Sequence, residues 1–276
     1  MNKRKAKVLA GDVLGLLFSF AIFVIPFIFI LLTSLKSKPE ANLLRLTWPS
    51  ELHFENYLEV IRANNYLLLK AFKNSLILTA GAVVFLVITG ALAGYVLARR
   101  KDRASRIIRN ILTIGLMVPV TIMPTIWVMK ALNVYRTMFG MIMVETAINL
   151  SFTIMLYRGF VNTVPLELEE AGYIDGCNKF QMFGKIIFPL LKPVTSTVII
   201  LNAIAVFNDF TNPLYFLPGS ENATVQLTLS SFSGRYASAN NLLFADILLI
   251  TVPMLILFLI FNKKIVSGMA SGAVKG

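Results

Sequence analysis

Three acidic residues stand inside otherwise apolar runs: Glu145, Asp209 and Asp246. An ionisable group in such a run is costly to bury. It is a candidate by default for a substrate contact, an ion or proton site, or a tie between helices. Asn149, Asn208 and Asn212 stand near the first two in sequence. Carboxylates accept strong hydrogen bonds from hydroxyls, and amides both give and accept them. This set suits a neutral, hydroxyl-rich solute and disfavours an anionic one. A second acidic group, Glu167, Glu169 and Glu170, precedes Asp175-Gly176. Alone, it reads as a solvated helix face.

Other chemistry is missing from the sequence. Cys177 and His53 are each single, so neither a disulfide within the chain nor a Cys/His zinc cluster can form. His53 sits beside Glu51 and Glu55 and reads as a solvated histidine. A nucleotide loop of the form G-x-x-x-x-G-K-[ST] has no match. Its nearest approach, Gly184-Lys185-Ile186, lacks both the earlier glycine and the following hydroxyl. There is no His-Glu-x-x-His helix and no defensible hydrolase carboxylate pair. No catalytic, cofactor or metal residue is assigned. If the chain moves a solute uphill, either a partner supplies the energy or an ion gradient does.

The elements that must hold these residues are membrane spans. Of 276 residues, 57% are hydrophobic and only 14% are charged, against about 25% in ordinary soluble domains. A spanning helix needs roughly 20 mostly apolar residues. Six runs qualify: 13–35, 74–98, 110–129, 137–157, 193–217 and 242–262. The first is too long for a signal peptide alone and is read as a retained helix. The fold class expected is therefore an all-α membrane protein, one domain over residues 1–276. Glu145 and Asp209 each lie about eight residues from one end of their run, about 12 Å deep at 1.5 Å per residue. Asp246 is shallower. Gly90 and Gly94 in the second run offer a small-residue contact for close packing within the bundle.

Six spans leave both termini on one side. Seventeen of the 26 Lys and Arg fall on that side, among them Lys3, Arg4, Lys5 and Lys7, the cluster from Arg99 to Arg109, and Lys263 and Lys264. The positive-inside rule makes it the cytoplasmic side. The same distribution explains the net charge of +12 without nucleic acid. Two polar segments remain, 36–73 outside and 158–192 inside. The outer one contains an expected short helix over 55–62. The inner one is expected to hold a helix over 166–173, a turn at Asp175-Gly176, and a second helix over 178–187 stopped by Pro189. Such an element has no part in folding six spans and reads as a docking piece.

Residues 164–193 strongly resemble the EAA loop of permease subunits in binding-protein-dependent ABC importers. Glu170, Ala171, Asp175, Gly176, Phe183, Ile186, Pro189 and Pro193 match that pattern. Gly172 stands where a second alanine is usual, and Cys177 replaces the alanine after Asp-Gly. Further stretches resemble the carbohydrate permeases related to the maltose system: Thr33-Ser34-Leu35-Lys36, Glu55-Asn56-Tyr57, Phe207-Asn208-Asp209-Phe210 and the tail Gly272–Gly276. The resemblance covers essentially the whole chain.

It implies the type I importer permease fold and a definite assembly. This chain and a second, different permease would form the channel in a prokaryotic cell membrane. A pair of ATPase subunits would bind the ATP, and an extracytoplasmic binding protein would deliver a sugar, an oligosaccharide or disaccharide. Glu170, Ala171, Gly172, Asp175, Gly176 and Lys275 would contact the ATPase. Glu145, Asn149, Asn208, Asp209 and Asn212 would line the solute path, or tie helices together. Two other functions compete with this one. One is a permease of the same build for a peptide, an amino acid or a polyamine. The other is a stand-alone transporter with Glu145, Asp209 and Asp246 as ion sites, which would work alone in liposomes under an ion gradient.

Overall fold

Backbone polar groups have no partners in hydrocarbon, so apolar runs of this length must close their hydrogen bonds within helices. The computed structural model describes residues 12–16, 18–233 and 239–273, and all regular structure among them is helical. The chain divides into two compact units, Met1–Leu69 with Leu227–Pro253, and Lys70–Gln226 with Met254–Gly276.

The first unit begins with α1, Asp12–Ser34, whose most apolar stretch has no residue buried within the chain. A short helix α2, Lys38–Asn42, follows. The long helix α3, Glu55–Arg99, starts in this unit. Residues 55–62 form its expected first segment. The chain then breaks, with left-handed backbone at Asn64, Asn65 and Tyr66. Asparagine visits that region more readily than other side-chain-bearing residues, so the two asparagines suit the bend. The end of α1 is tied to the start of α3. The Ser34 hydroxyl and Tyr57 OH share a hydrogen bond of 2.7 Å, and Asn56 Nδ2 donates to Ser34 O and Lys36 O. Lys36 is itself buried, its Nζ donating to Arg45 O at 2.8 Å and Thr47 Oγ1 at 3.0 Å. The last helix, α11 (Asn240–Ala273), contributes Asn241, which donates to Asn56 Oδ1 at 2.8 Å. It also contributes Asp246, fully buried, whose Oδ2 accepts from the Thr228 hydroxyl at 2.8 Å.

The second unit holds the rest of α3 and the helices that follow it. They are α4 (Arg103–Gly115), α5 (Ile122–Ala131), α6 (Met138–Val161), α7 (Glu167–Ile174), α8 (Lys179–Leu190), α9 (Lys192–Phe207) and α10 (Thr211–Phe216). The α3–α6 contact is set by glycine. A Cβ on Gly90 would lie 2.5 Å from Thr153 Cγ2, and one on Gly94 would lie 2.6 Å from Tyr157 Cβ and 3.0 Å from the Arg158 nitrogen. The Gly90/Gly94 pair is a packing seam inside the chain, as its spacing suggests. Thr137 caps α6, accepting from Gly140 N–H at 3.0 Å. At the start of α4 the Ser105 hydroxyl donates to Asp102, which holds that carboxyl below its ordinary value.

Two of the expected spans are not single helices. Residues 116–121 separate α4 from α5 within the run 110–129. Pro119 lies in this break, where it can neither donate to a helical ladder nor fit under the preceding turn. The run 193–217 breaks between α9 and α10 at Asn208-Asp209-Phe210. Among the described residues, three helices, α1, α3 and α6, are long and apolar enough to cross a membrane singly; a fourth crossing arises if α8 and α9, bent by 74°, count as one. Pro189 does not stop α8. The chain has already widened into a π turn at Met182–Ile187, and the helix runs on to Leu190.

Candidate functional site

The segment from α7 to α8 is built by local chemistry. Its first turn carries Glu167, Glu169 and Glu170 at the positive end of the helix dipole. Its end is a Schellman closure. Gly176 takes φ +81°, its N–H donates to Tyr173 O at 3.1 Å, and the Cys177 N–H donates to Gly172 O at 2.9 Å. Asn178 then starts α8 with a reciprocal capping box. Its Oδ1 accepts from Gln181 N–H at 2.9 Å, and Gln181 Oε1 accepts from Asn178 N–H at 3.0 Å. Asp175-Gly176 is thus a turn because only glycine enters the left-handed region there without strain.

The two helices pack at Gly172. A Cβ there would fall 2.5 Å from Ile186 Cδ1 and 2.7 Å from Met182 Cε. The glycine lets these two side chains fill the space an alanine methyl would need. Met182, Ile187 and Leu191 are fully buried and join a cluster with Ala91, Tyr157 and Val161. Phe183 stacks near Tyr95, with ring centroids 5.6 Å apart. The inner face of the segment is therefore fastened to α3 and α6.

The three glutamates divide. Glu169 is buried and faces inward, three residues before the buried Gly172. Its Oε1 accepts from Arg99 Nε at 2.6 Å and its Oε2 from the Tyr95 hydroxyl at 2.8 Å. Arg99 Nη2 also donates to Val164 O at 2.9 Å. Glu167 and Glu170 are exposed, together with Ala171, Asp175 and Gly176. Two large apolar residues share this exposure: Ile174 at 86% and Phe180 at 90%. Both lie close in sequence to the exposed Glu170 and Asp175. The sequence singles out Glu170 but gives no comparable prominence to Glu169, Ile174 or Phe180. The helical register relative to Gly172 carries the signal for Glu169. Lys275 lies outside the described residues.

The second candidate set is brought together in part. Glu145 and Asn149 are on α6, and Asn149 Nδ2 donates to Glu145 O at 2.9 Å. Asp209 occupies the α9–α10 break, where its Oδ1 accepts from Asn212 N–H at 3.1 Å and its Oδ2 from Asn212 Nδ2. The carboxyls of Glu145 and Asp209 lie within interaction range of each other. Asn208 turns away, accepting from Gln226 Nε2 at 3.2 Å. Glu145 is only 2% exposed, so it is closed off from solvent, whereas Asn208 is open. An apolar cleft of about 260 Å³ between α5 and α6, lined by Val120, Met129, Val134 and Val144 among others, takes in none of the residues of this candidate set.

Known proteins resemble this chain over most of its length. Residues 87–271 match the family described as binding-protein-dependent transport system inner membrane component. The chain is 34% identical over 255 residues to the melibiose/raffinose/stachyose import permease protein MelC of Bacillus subtilis (strain 168), covering 91% of each. It is 35% identical to the multiple sugar-binding transport system permease protein MsmG of Streptococcus mutans, covering 81% of this chain and 84% of that one. Among solved structures, it shares its fold with a chain of a bacterial ABC transporter involved in import of the acidic polysaccharide alginate. The TM-score is 0.83 at 22% identity, over 95% of this chain and 98% of that one.

Proposed function

Because the chain belongs to the family of binding-protein-dependent transport system inner membrane components, we propose that it is the membrane-spanning subunit of an ATP-driven importer of neutral oligosaccharides or disaccharides. The names of its sugar-permease relatives support the substrate class. The acidic and amidic character of Glu145, Asn149, Asn208, Asp209 and Asn212 supports a neutral sugar over an acidic one. In this reading the apolar runs cross the bilayer six times, with the broken runs 110–129 and 193–217 each making one passage. Both termini and the α7–α8 segment are cytoplasmic. The chain lies in the cell membrane of a prokaryote beside a second permease.

The observation that carries the reading is the α7–α8 segment, fastened on its inner face and presenting Glu170, Ala171, Ile174 and Phe180 outward. That is the form needed for a helix to sit in a groove of an ATPase subunit: apolar anchors with a charged flank. Closure of the ATPase pair on ATP would reach the spans as rigid-body rocking. The tail with Lys275 is read, from the resemblance, as a second contact with the same pair. On the other side, an extracytoplasmic binding protein delivers the sugar. Asn208 and Asp209 are the residues best placed to meet it, with Glu145, Asn149 and Asn212 behind them.

The test is ATP hydrolysis by the reconstituted complex of this chain, its partner permease, the ATPase and the binding protein, across a panel of neutral and acidic sugars. Stimulation by a neutral oligosaccharide is expected, with no turnover by this chain alone. Clear ATP turnover by the isolated chain, or uptake by it alone under an ion gradient, would sink the reading.

A further inference from the structure

We propose that Arg99, Tyr95 and Glu169 are positioning residues that lock α7 to α3, so that a push on the docking face moves the α3–α6 pair instead of bending the segment that carries it. The inference rests on the coupling role proposed above and adds the route by which force enters the spans.

Four observations point to it. Tyr95 and Arg99 are one turn apart on α3 and so share a face. Both donate to the same carboxylate, one to each oxygen of Glu169. Arg99 reaches past it to Val164 O, on the connection that leads from α6 into α7. One guanidinium therefore holds α3, the α6–α7 connection and α7 at fixed spacing. Second, the adjacent Glu170 points the other way, to the exposed surface. Neighbouring carboxylates on one helical turn serve opposite faces, one outward and one inward. Third, α3 is not free to absorb a push. Gly94, the residue before Tyr95, leaves no room for a Cβ between α3 and the Tyr157 Cβ, Arg158 N and Ile154 O of α6. Fourth, the Arg99–Glu169 pair is largely buried, with Arg99 18% and Glu169 9% exposed at the side chain, while the other ion pair among the described residues, His53–Glu55, is more exposed. A buried pair is poor value as a stabiliser, since apolar residues can often replace it at no loss. The planar guanidinium, with one donor on Glu169 Oε1 and another on Val164 O, instead specifies position.

The inference is tested in the complete complex, in a Cys177→Ser background, with spin labels on Leu168→Cys of α7 and Val96→Cys of α3. Both positions are exposed. Distances are measured without nucleotide and with ATP trapped by vanadate. With the lock intact, the 168–96 distance should stay the same in both states. In Glu169→Gln, Arg99→Gln and the milder Tyr95→Phe it should shift or broaden with ATP by about 2 Å, the scale of helix shifts at switching interfaces. Transport per ATP hydrolysed should fall alongside, at matched amounts of assembled complex. A distance that moves with ATP in the wild type overturns the inference. So does a distance that stays fixed in Tyr95→Phe and Glu169→Gln complexes that assemble. Should Arg99→Gln fail to insert, those two variants still decide. Failure of the coupling role itself has a separate signature: Glu170→Lys would assemble and turn over like the wild type.

Discussion

Asn56 is bonded to the carbonyls on both sides of Leu35, with Nδ2 donating to Ser34 O at 2.8 Å and to Lys36 O at 3.0 Å. Its Oδ1 is taken by Asn241. One buried amide thus joins the end of α1, the start of α3 and the start of α11. It also explains why Thr33–Lys36 and Glu55–Tyr57 occur together in the sequence: they are two halves of one contact. Asn56→Ala should destabilise the first unit by about 2–4 kcal/mol, from lost bonds at about 1 kcal/mol each and the cost of stranded buried partners. Asn56→Asp should be no better, because a carboxylate cannot donate to two carbonyls. Thermal unfolding of the purified variants measures both. A melting temperature unchanged in Asn56→Ala would show that water replaces the amide.

The Gly94–Tyr157 approach makes a sharper steric case. At Gly94 a methyl would meet the Arg158 nitrogen at 3.0 Å and Ile154 O at 3.2 Å, atoms of backbone that cannot rotate aside. Gly94→Ala should cost about 1–3 kcal/mol through overpacking. Gly159 lies on the same helix as Tyr157 with nothing within 4 Å of a built Cβ. Gly159→Ala should therefore be neutral or stabilising by about 0.5–1 kcal/mol, as helix propensity alone dictates. Unfolding midpoints of the two variants should move in opposite directions.

Much of this arrangement is legible in the amino-acid sequence. The run 137–157 meets α6 within a few residues at each end, because a long charge-poor stretch bounded by Thr137 and Arg158 leaves little choice. The 55–62 helix and the Asp175-Gly176 turn follow from caps and turn residues. Hydrophobicity, however, is blind to backbone continuity. It runs through the breaks at 116–121 and 208–210, since the residues there stay mostly apolar or amidic while the chain unwinds. It also cannot place the bend at Asn64, Asn65 and Tyr66, which lies outside any apolar run. At the α7–α8 segment, composition identifies an acidic face but not its orientation. Glu169 and Glu170 are chemically identical; only the register set by Gly172 sends one to Arg99 and the other to the surface.

That register depends on the turn behind it. Gly176 at φ +81° has open space around it, so size does not forbid a side chain; backbone conformation does. Gly176→Ala should cost about 1–2 kcal/mol, the usual penalty for a side-chain-bearing residue in the left-handed region. The loss would fall on the Schellman closure between α7 and α8 and not on the spans. Gly184→Ala, in a helical setting with equally open space, should be harmless. Limited proteolysis of the folded protein distinguishes these outcomes: cleavage near 174–178 should rise in Gly176→Ala only.

Docking itself is read most directly at Glu170. The side chain is exposed on the outer face of α7, so Glu170→Ala should leave the helices folded. In the proposed function, a charge-assisted contact from Glu170 to a basic residue of the ATPase would be worth about 1.5–3 kcal/mol. Its removal corresponds to a loss of affinity of roughly 10- to 150-fold at 1.4 kcal/mol per tenfold. Glu167→Ala, at the exposed start of α7, should cost only about 0.3–1 kcal/mol through the helix dipole. Glu170→Lys should be worse than alanine, because it sets like charges together. Recovery of the complex and sugar-stimulated ATP hydrolysis, at matched membrane levels of the three variants, should rank Glu167→Ala above Glu170→Ala above Glu170→Lys. If Glu170→Lys assembles and turns over as the wild type does, the outward carboxylate is solvated surface, and the coupling role proposed for this segment fails.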